Sequence, residues 1–226
     1  MGSRAWVRAR DTKEAVLFHL NPPEWSRVLT DELPFGDQGE AVFADVVSGC
    51  SQYLEYGSGS STFAVARTGR SLVTVESDPR FLAAVERRCW AIRGSADGPS
   101  MAFLHGDIGR TGPWGKPFHP ARSRPSLWRR YPLAPWDTFG EDFRADAVLV
   151  DGRFRVACAL AVILHQPDTR WTLLLDDYVG RSHYQPVEEF AECVGMRGRM
   201  AEFRPAASVS LPAVQAAFEH FVSDWR

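Results

Sequence analysis

The sequence lacks the features of a membrane protein, a secreted protein or a nucleic-acid-binding protein. Its longest uninterrupted apolar run, Val156–Leu164, has nine residues, well short of the ~20 needed to cross a bilayer. The apolar stretch Ala15–Leu20 has no small-residue cleavage site of the kind that ends a secretory signal. The formal net charge is only -2, so there is no overall basic field to hold a nucleic acid. We expect a cytoplasmic protein with neither a membrane nor a nucleic acid as its partner.

Cysteine is also scarce. The chain has four cysteines, far apart and none in a C-x-x-C pair, a pattern that argues against a disulfide framework and a cysteine-based zinc site. We expect them to be reduced residues of the core.

Apolar residues, in contrast, are plentiful. They make up 45% of the 226 residues, against 24% charged residues, which is enough to bury a large core. The length predicts one sizeable domain with extensions. We place an N-terminal helical extension over 1–50, the core domain over 51–205 and a C-terminal helix, packed on the same domain, over 206–226.

From residue 52 onward, short apolar runs alternate with helical patterns, which predicts an α/β fold. The runs are nearly all apolar, so both faces of a mostly parallel sheet should be covered by helices, in three layers. The predicted strands are Gln52–Tyr56, Leu72–Glu76, Met101–His105, Ala147–Asp151, Trp171–Asp176 and Arg199–Arg204. The predicted helices are Asp37–Ser48, Ser60–Thr68, Asp78–Ile92, Phe154–Leu164, Tyr184–Val194 and Leu211–Trp225.

The most informative motif is the glycine turn after the first strand. Tyr56–Gly59 joins that strand to a helix, and Glu76 ends the next strand nineteen positions after Gly57. Glycines let a ligand approach the backbone closely, and a carboxylate in this position accepts hydrogen bonds from both ribose hydroxyls. The pattern therefore predicts an adenosine-type cofactor. Thr62 stands where a dinucleotide site prefers Gly or Ala, which counts against NAD.

This motif and three later ones resemble, in order and spacing, the motifs of the class I, Rossmann-like S-adenosylmethionine-dependent methyltransferases. The matching stretches are Leu54–Thr62, Val75–Asp78, Gly106–Asp107 and Val148–Gly152, with Ser61 in place of the usual third glycine. The resemblance covers about residues 50 to 195 and implies a Rossmann-like domain that binds S-adenosylmethionine. Within the superfamily, Val150–Arg155 is similar to bacterial methyltransferase-like proteins of unassigned substrate.

The resemblance also implies roles for single residues. Glu55, Gly57 and Gly59 would surround the methionine part of the cofactor, Glu76 would bind the ribose, Asp107 the adenine amine, and Asp151 would face the sulfonium. The implied cofactor site further includes Ser58, Ser61, Thr62 and Ser77. Two roles have structural alternatives, because Asp107 follows Gly106 and could simply form a turn, and Asp151 could cap the next helix.

Three acids follow the fourth and fifth predicted strands: Asp151, Asp176 and Asp177. Carboxylates that converge must be protonated, bonded to donors or neutralised by a cation. Their spacing resembles the metal triad of catechol-type O-methyltransferases, with Asp177 in place of an amide, and so implies Mg²⁺ or Mn²⁺. Those enzymes have a lysine base where this chain has Phe154.

The alternative to a metal is that the acids pair with Arg153, Arg155 or Arg181. Asp151 and Asp176 are candidate catalytic residues in either case. His183 is a third, because it follows Asp176 closely enough to reach the same crevice.

The long connection 109–145 is the remaining anomaly. Between Gly109 and Tyr131 it carries six basic residues and no acid, interleaved with tryptophans. Its place after the third strand predicts a lid over the cofactor mouth that binds an anionic or sugar-like acceptor. A solvated loop anchored by its tryptophans is the alternative.

Together these features favour an enzyme that moves a methyl group from S-adenosylmethionine to a small molecule, with an oxygen as the nucleophile. A non-catalytic protein that binds S-adenosylmethionine or S-adenosylhomocysteine is the second interpretation. A nicotinamide-dependent oxidoreductase is the third, and Thr62 counts against it.

Overall fold

A computed structural model of the chain describes residues 16–17, 29–94, 98–118, 124–167 and 169–226. Their strands form one seven-stranded sheet in the order β3-β2-β1-β4-β5-β7-β6. The first five strands are parallel, and β7 runs antiparallel to both of its neighbours. The strands are β1 Gln52–Tyr56, β2 Ser71–Glu76, β3 Met101–His105, β4 Ala147–Val150, β5 Thr172–Leu175, β6 Ala191–Arg197 and β7 Met200–Pro205. The predicted mostly parallel α/β sheet is confirmed.

Helices cover both faces of this sheet, so consecutive residues of one strand belong to different apolar clusters. Tyr53 packs in the cluster that contains Phe63, whereas Leu54 packs in the one that contains Leu160. This explains the uninterrupted apolar strands, because both faces of a covered parallel sheet need apolar side chains. The helices are α1 Gly36–Gly49, α2 Ser60–Thr68, α3 Pro79–Arg93, α4 Pro125–Trp128, α5 Arg130–Phe139, α6 Arg155–His165 and α7 Leu211–Phe221.

Local signals explain where α3 begins and ends. The Asp78 carboxylate accepts hydrogen bonds from the backbone N–H groups of Arg80 and Phe81, which satisfies donors that have no partner within the helix. Pro79 occupies the first helical position, where its missing N–H costs nothing. Gly94 ends the helix at φ +75, the left-handed conformation that glycine adopts most easily. The carboxyl end of β2 is thereby held at a fixed place.

One predicted helix is wrong. The segment predicted as a helix over Tyr184–Val194 is a 3₁₀ helix at Ser182–Glu189 followed by strand β6. Pro186 would be tolerated in the first turn of a helix, but the residues after it pair with β7 and gain their backbone partners there. Gly195 therefore lies inside a strand.

The connection 109–145 is only partly a loop. Helices α4 and α5 occupy its second half, where Trp128, Tyr131 and Trp136 are buried. Helix α5 contacts β2, β3 and α6, so it is the crossover that covers the sheet between β3 and β4. A lid can therefore consist only of the first part of the connection, and residues 119–123, with Arg122, lie outside the described residues.

Only part of the predicted N-terminal helical extension over 1–50 lies within the described residues. Helix α1 agrees with the predicted Asp37–Ser48, whereas most of Ala15–Leu20 lies outside the described residues. The division of the chain at residues 50 and 205 stays a prediction. No helix in the described ranges is both long and apolar enough to cross a membrane.

Candidate active site

A cleft of about 880 Å³ opens at the carboxyl ends of the parallel strands. It lies where the chain, after running from β1 outward to β3, crosses back to β4, and such points are where open α/β sheets bind ligands. Eight of the predicted site residues line it: Gly57, Ser58, Gly59, Ser61, Glu76, Ser77, Asp151 and Asp177. The structure thus brings together the first, second and fourth motifs.

The glycine turn forms the floor of this cleft. Gly57 has φ +95, and a Cβ there would lie 2.7 Å from the Gly152 backbone, so the turns after β1 and β4 touch through their backbones. A Cβ on Gly59 would meet no atom within 4 Å. Gly59 thus leaves its backbone open to a ligand in the cleft, as a cofactor cradle requires.

Glu55 does not line the cleft but lies beneath it, fully buried. Its carboxylate accepts hydrogen bonds from the hydroxyls of Tyr53 and Ser61 at 2.9 and 2.8 Å and from that of Thr62. The Thr62 hydroxyl in turn accepts the Gly59 N–H at 2.8 Å. Burial raises the pKa of Glu55 to about 7, against the lowering effect of these hydroxyls. Glu55 and Thr62 therefore support the turn from below and do not line the cleft.

Glu76 is buried at the end of β2 and faces the cleft. Its carboxylate accepts backbone N–H bonds from Ser77 at 2.7 Å, Asp78 at 2.9 Å and Ser58 at 3.3 Å. Burial raises the pKa of Glu76, and these N–H donors oppose that rise. They also fix the carboxylate in one orientation, which is what a bidentate contact to two ribose hydroxyls needs.

A short loop at Pro113–Lys116, which we call the rim loop, lies against this acid. Ser77 Oγ lies 3.1 Å from the Gly115 carbonyl oxygen, and a Cβ on Gly115 would lie 2.4 Å from Ser77 Oγ and 3.3 Å from a Glu76 carboxylate oxygen. Trp114 is 81% exposed and has φ +62, a conformation that is uncommon for a non-glycine residue. The rim loop is the part of the predicted lid that reaches the cleft.

The three aspartates are held by arginines. Asp176 is fully buried and is bound by two nitrogens of Arg199. Asp151 accepts a hydrogen bond from Arg155 at 2.9 Å, and Asp177 accepts one from Arg181 at 2.7 Å. Arginine side chains thus neutralise the three acids in place of a metal ion.

The predicted metal site at Asp151, Asp176 and Asp177 is not supported by this geometry. Within the described ranges, no group of three or more His, Cys, Asp or Glu side chains is arranged to hold a metal ion. Guanidinium groups already bind oxygens of all three carboxylates, and their positive charge opposes the binding of Mg²⁺ or Mn²⁺ there. The residues present do not fit a divalent cation.

Asp151 is the acid best placed for chemistry, because its side chain lines the cleft and is 24% exposed. Desolvation raises its pKa to about 7, against the lowering effect of Arg155 and with a further rise from the neighbouring Asp176. A carboxylate with a pKa near neutrality is suited to accept a proton in turnover. Asp151 does not cap helix α6, because the N-cap residue there is Phe154.

Asp107 and His183, like Glu55, Thr62 and Asp176, lie outside the cleft lining. The Asp107 carboxylate accepts the Gly109 N–H at 2.8 Å, which is the turn role offered as its alternative. The His183 ring lies against Tyr184, with centroids 4.3 Å apart. Its Nε2 is buried without a hydrogen-bond partner among the described residues. Burial lowers the pKa of His183, and nearby arginines add to that effect.

The structure also adds residues that sequence reasoning missed. Arg199 reaches Asp176 only because the β6–β7 hairpin returns beside β5. Because β6 was not predicted from the sequence, this ion pair could not be predicted either. Gly152 had a detectable signal, since a glycine directly after the β4 acid permits the contact with Gly57. Tyr131 lines the cleft from helix α5, and residues 29–35 contribute one wall, with no sequence signal that we recognise.

Several solved structures are similar to this chain. A methyltransferase-like protein, spo2022, from Silicibacter pomeroyi DSS-3 is 36% identical over 85% of this chain and 97% of its own, with a TM-score of 0.74. The methyltransferase PaMTH1 from Podospora anserina is 16% identical over 91% of this chain and 97% of its own, with a TM-score of 0.44. The N-methyltransferase NodS from Bradyrhizobium japonicum WM9 is 12% identical over 88% and 97%, with a TM-score of 0.40. The last two are too distant to assign residue roles. No protein-family model matches the chain, and neither does any curated protein.

Proposed function

Because the chain belongs to the class I, Rossmann-like S-adenosylmethionine-dependent methyltransferases, we propose that it binds S-adenosylmethionine in this cleft and methylates an oxygen of a small-molecule acceptor. The observation that carries the proposal is the placement of Glu76 beside Gly59. An oriented carboxylate and an open glycine backbone share one cleft at the point where the strand order reverses.

The residues of the cofactor half fit an adenosine ligand. Glu76 would accept the ribose hydroxyls while its backbone donors hold it in place. Gly57 would permit the close contact between the turns after β1 and β4, and Gly59 would let the amino acid part of the cofactor run along the turn without a side chain in its path. Ser77 would border the adenosine under the rim loop.

S-adenosylmethionine, when bound, supplies a methyl group on a positively charged sulfur that is ready to leave. The task of the protein is then to align an acceptor oxygen, exclude water and remove a proton. Asp151 is the group that would take this proton, since it lines the cleft and its pKa is raised to about 7. Arg155, which donates to Asp151 at 2.9 Å, would hold the carboxylate toward the acceptor.

Calorimetry with S-adenosylhomocysteine tests the cofactor assignment. Wild-type protein should bind it, and Glu76→Ala should weaken binding by about tenfold to a hundredfold, the equivalent of ~1–3 kcal/mol in lost charged hydrogen bonds. Glu86→Ala, which removes an exposed carboxylate on α3, is the matched control. Binding of NAD without binding of S-adenosylhomocysteine would overturn the proposal.

Turnover separates an enzyme from a binder. Asp151→Asn keeps the size of the side chain and should lower kcat while leaving the affinity for S-adenosylhomocysteine within about twofold. Full activity of Asp151→Asn would show that this acid is not the base. Tight binding with no methyl transfer to a broad acceptor panel would favour the non-catalytic interpretation.

A further inference from the structure

The two halves of the cleft differ in charge. On the β2 side, acids such as Glu76 and Asp78 line the wall. The other half, formed by the carboxyl ends of β4 and β5 and by the rim loop, we call the acceptor half. Its acids are Asp151, Asp177 and, directly behind them, Asp176, and its cations are Lys116, Arg153, Arg155, Arg181 and Arg199. Five cations therefore face three acids there.

Ion pairing accounts for three of these cations, because each aspartate is bonded to its own arginine. Lys116 and Arg153 are left. Neither takes part in an ion pair within the described part of the chain, and Lys116 Nζ lies 6.0 Å from the centroid of the Trp225 ring. The acceptor half thus carries two positive charges that have no ion-pair partner among the described residues.

Arg153 is moreover held ready for a ligand. Its Nε–H donates to the Trp114 carbonyl at 2.9 Å, which ties the guanidinium to the rim loop. Among the described residues, no hydrogen bond uses its two terminal nitrogens. Those two nitrogens form the edge of the guanidinium that binds carboxylates in a bidentate manner. The half-buried side chain has already lost much of its freedom, so little further ordering is needed on binding.

The cofactor cannot balance this surplus. S-adenosylmethionine brings a sulfonium and an ammonium group against one carboxylate, a net charge of about +1 at neutral pH. Even if one of these two cations bound the cofactor's carboxylate, the other would still lack an anionic partner among the described residues and the cofactor. The acceptor is the remaining component that can supply such a partner.

We propose, on the basis of the proposed function, that the acceptor is an organic acid whose carboxylate binds the terminal nitrogens of Arg153, with Lys116 beside it. A carboxylate held there would direct a hydroxyl of the same molecule toward Asp151, two residues before Arg153. Arg153 would thus select the substrate and set which oxygen is presented.

The test uses protein saturated with S-adenosylhomocysteine and a library of hydroxy acids, each paired with its uncharged amide. Equilibrium dialysis should find acids that bind wild-type protein about tenfold or more tightly than their amides, and Arg153→Gln should remove that difference. Arg87→Gln, on the exposed side of α3, should retain it. If no acid binds more tightly than its amide, or if Arg153→Gln keeps the preference, the inference is wrong.

Two further arms identify other sources of the anion. Weaker binding of S-adenosylhomocysteine by Arg153→Gln, with unchanged binding of 5′-methylthioadenosine, would assign Arg153 to the cofactor's carboxylate and overturn the proposal. If equilibrium dialysis showed that the protein binds inorganic phosphate more tightly than any of the hydroxy acids, the proposal would also be overturned. Failure to bind S-adenosylhomocysteine at all would instead contradict the proposed function, so the two failures are distinct.

Discussion

Glu55 combines two properties that rarely coexist in a side chain, complete burial and an ionisable group. Side-chain hydroxyls, those of Tyr53, Ser61, Thr62 and Thr74, surround its carboxylate, and no cation does so among the described residues. Burial disfavours the charged form, and the hydroxyls only partly restore it. The glycine turn above it therefore rests on a group whose protonation changes near neutral pH.

This gives a prediction for the pH dependence of stability. The pKa of Glu55 is about 7 in the folded protein against 4.5 as the ordinary value, so its contribution is fully present below pH 4.5 and is lost as the pH rises through 7. As the pH rises through this range, the titration of Glu55 should lower the free energy of unfolding of the wild-type protein by up to ~3 kcal/mol. Glu55→Gln should flatten the profile measured by urea unfolding from pH 5 to 8.

Glu86→Gln, which alters an exposed acid, serves as the control and should keep the wild-type slope. A Glu55→Gln profile parallel to that of the wild type would mean that Glu55 stays charged in the folded state.

At this same scale, the sequence predicted contacts that are local and missed those made by distant residues. Gly57 and Glu76 were found because the turn and the strand end lie within twenty residues of each other. The aspartates were found too, but their neutralisation was not settled, since Arg199 depends on a hairpin that the sequence did not reveal. A cluster of carboxylates has the same sequence pattern whether a metal ion or arginine side chains neutralise it.

Among the elements, the rim loop packs closely against the rest of the site. Gly115 has φ +66, and a Cβ there would collide with Ser77 Oγ. Gly115→Ala should therefore destabilise the protein through both backbone strain and a steric clash. Gly140, with φ +85 and open space around a Cβ, shares only the strain.

We expect Gly115→Ala to lower the free energy of unfolding by ~1–3 kcal/mol more than Gly140→Ala does, which is the usual cost of overpacking. Thermal and urea unfolding of both variants measure this difference. Equal losses would show that the rim loop moves aside freely and does not rest on Ser77.

Elements also show where sequence patterns stop being informative. Strands β1 to β5 were predicted from apolar runs, because burial on both faces leaves a signal in each strand alone. Strand β6 was missed, since its residues are mostly exposed and its partner is β7. Helix α5 was missed because Pro132 and Pro135 suggest a loop, although Pro132 lies in its first turn and the aromatic face packs on the sheet.

For the whole molecule, the sheet joins two apolar clusters that lie on its opposite faces. Alternate residues of the same strands belong to the two clusters. Loss of packing on one face would therefore disturb the strands on which the other face also depends. We expect the described core to unfold as one cooperative unit. The buried tryptophans Trp128, Trp136 and Trp171 all report on one face.

Phe63→Ala tests this coupling from the other face, where Phe63 is fully buried. The variant should lose ~3–5 kcal/mol, and tryptophan fluorescence and far-UV circular dichroism should shift to the same lower urea midpoint. Phe139→Ala, at a 45% exposed site, should change the midpoint little. A fluorescence midpoint that stays at the wild-type value would show that the two faces unfold separately.

Strand β6 forms one outer edge of the sheet, where a second copy of the protein could pair with it. A flat edge presents unpaired N–H and C=O groups that can recruit a strand from another copy and seed a fibril. The register of β6 against β7 shifts between Cys193 and Gly195. Two exposed side chains of the strand, those of Glu192 and Arg197, are charged. Such a bulge bends and twists the edge. The irregular hairpin that made β6 hard to recognise in the sequence therefore also makes it a poor template for intermolecular pairing.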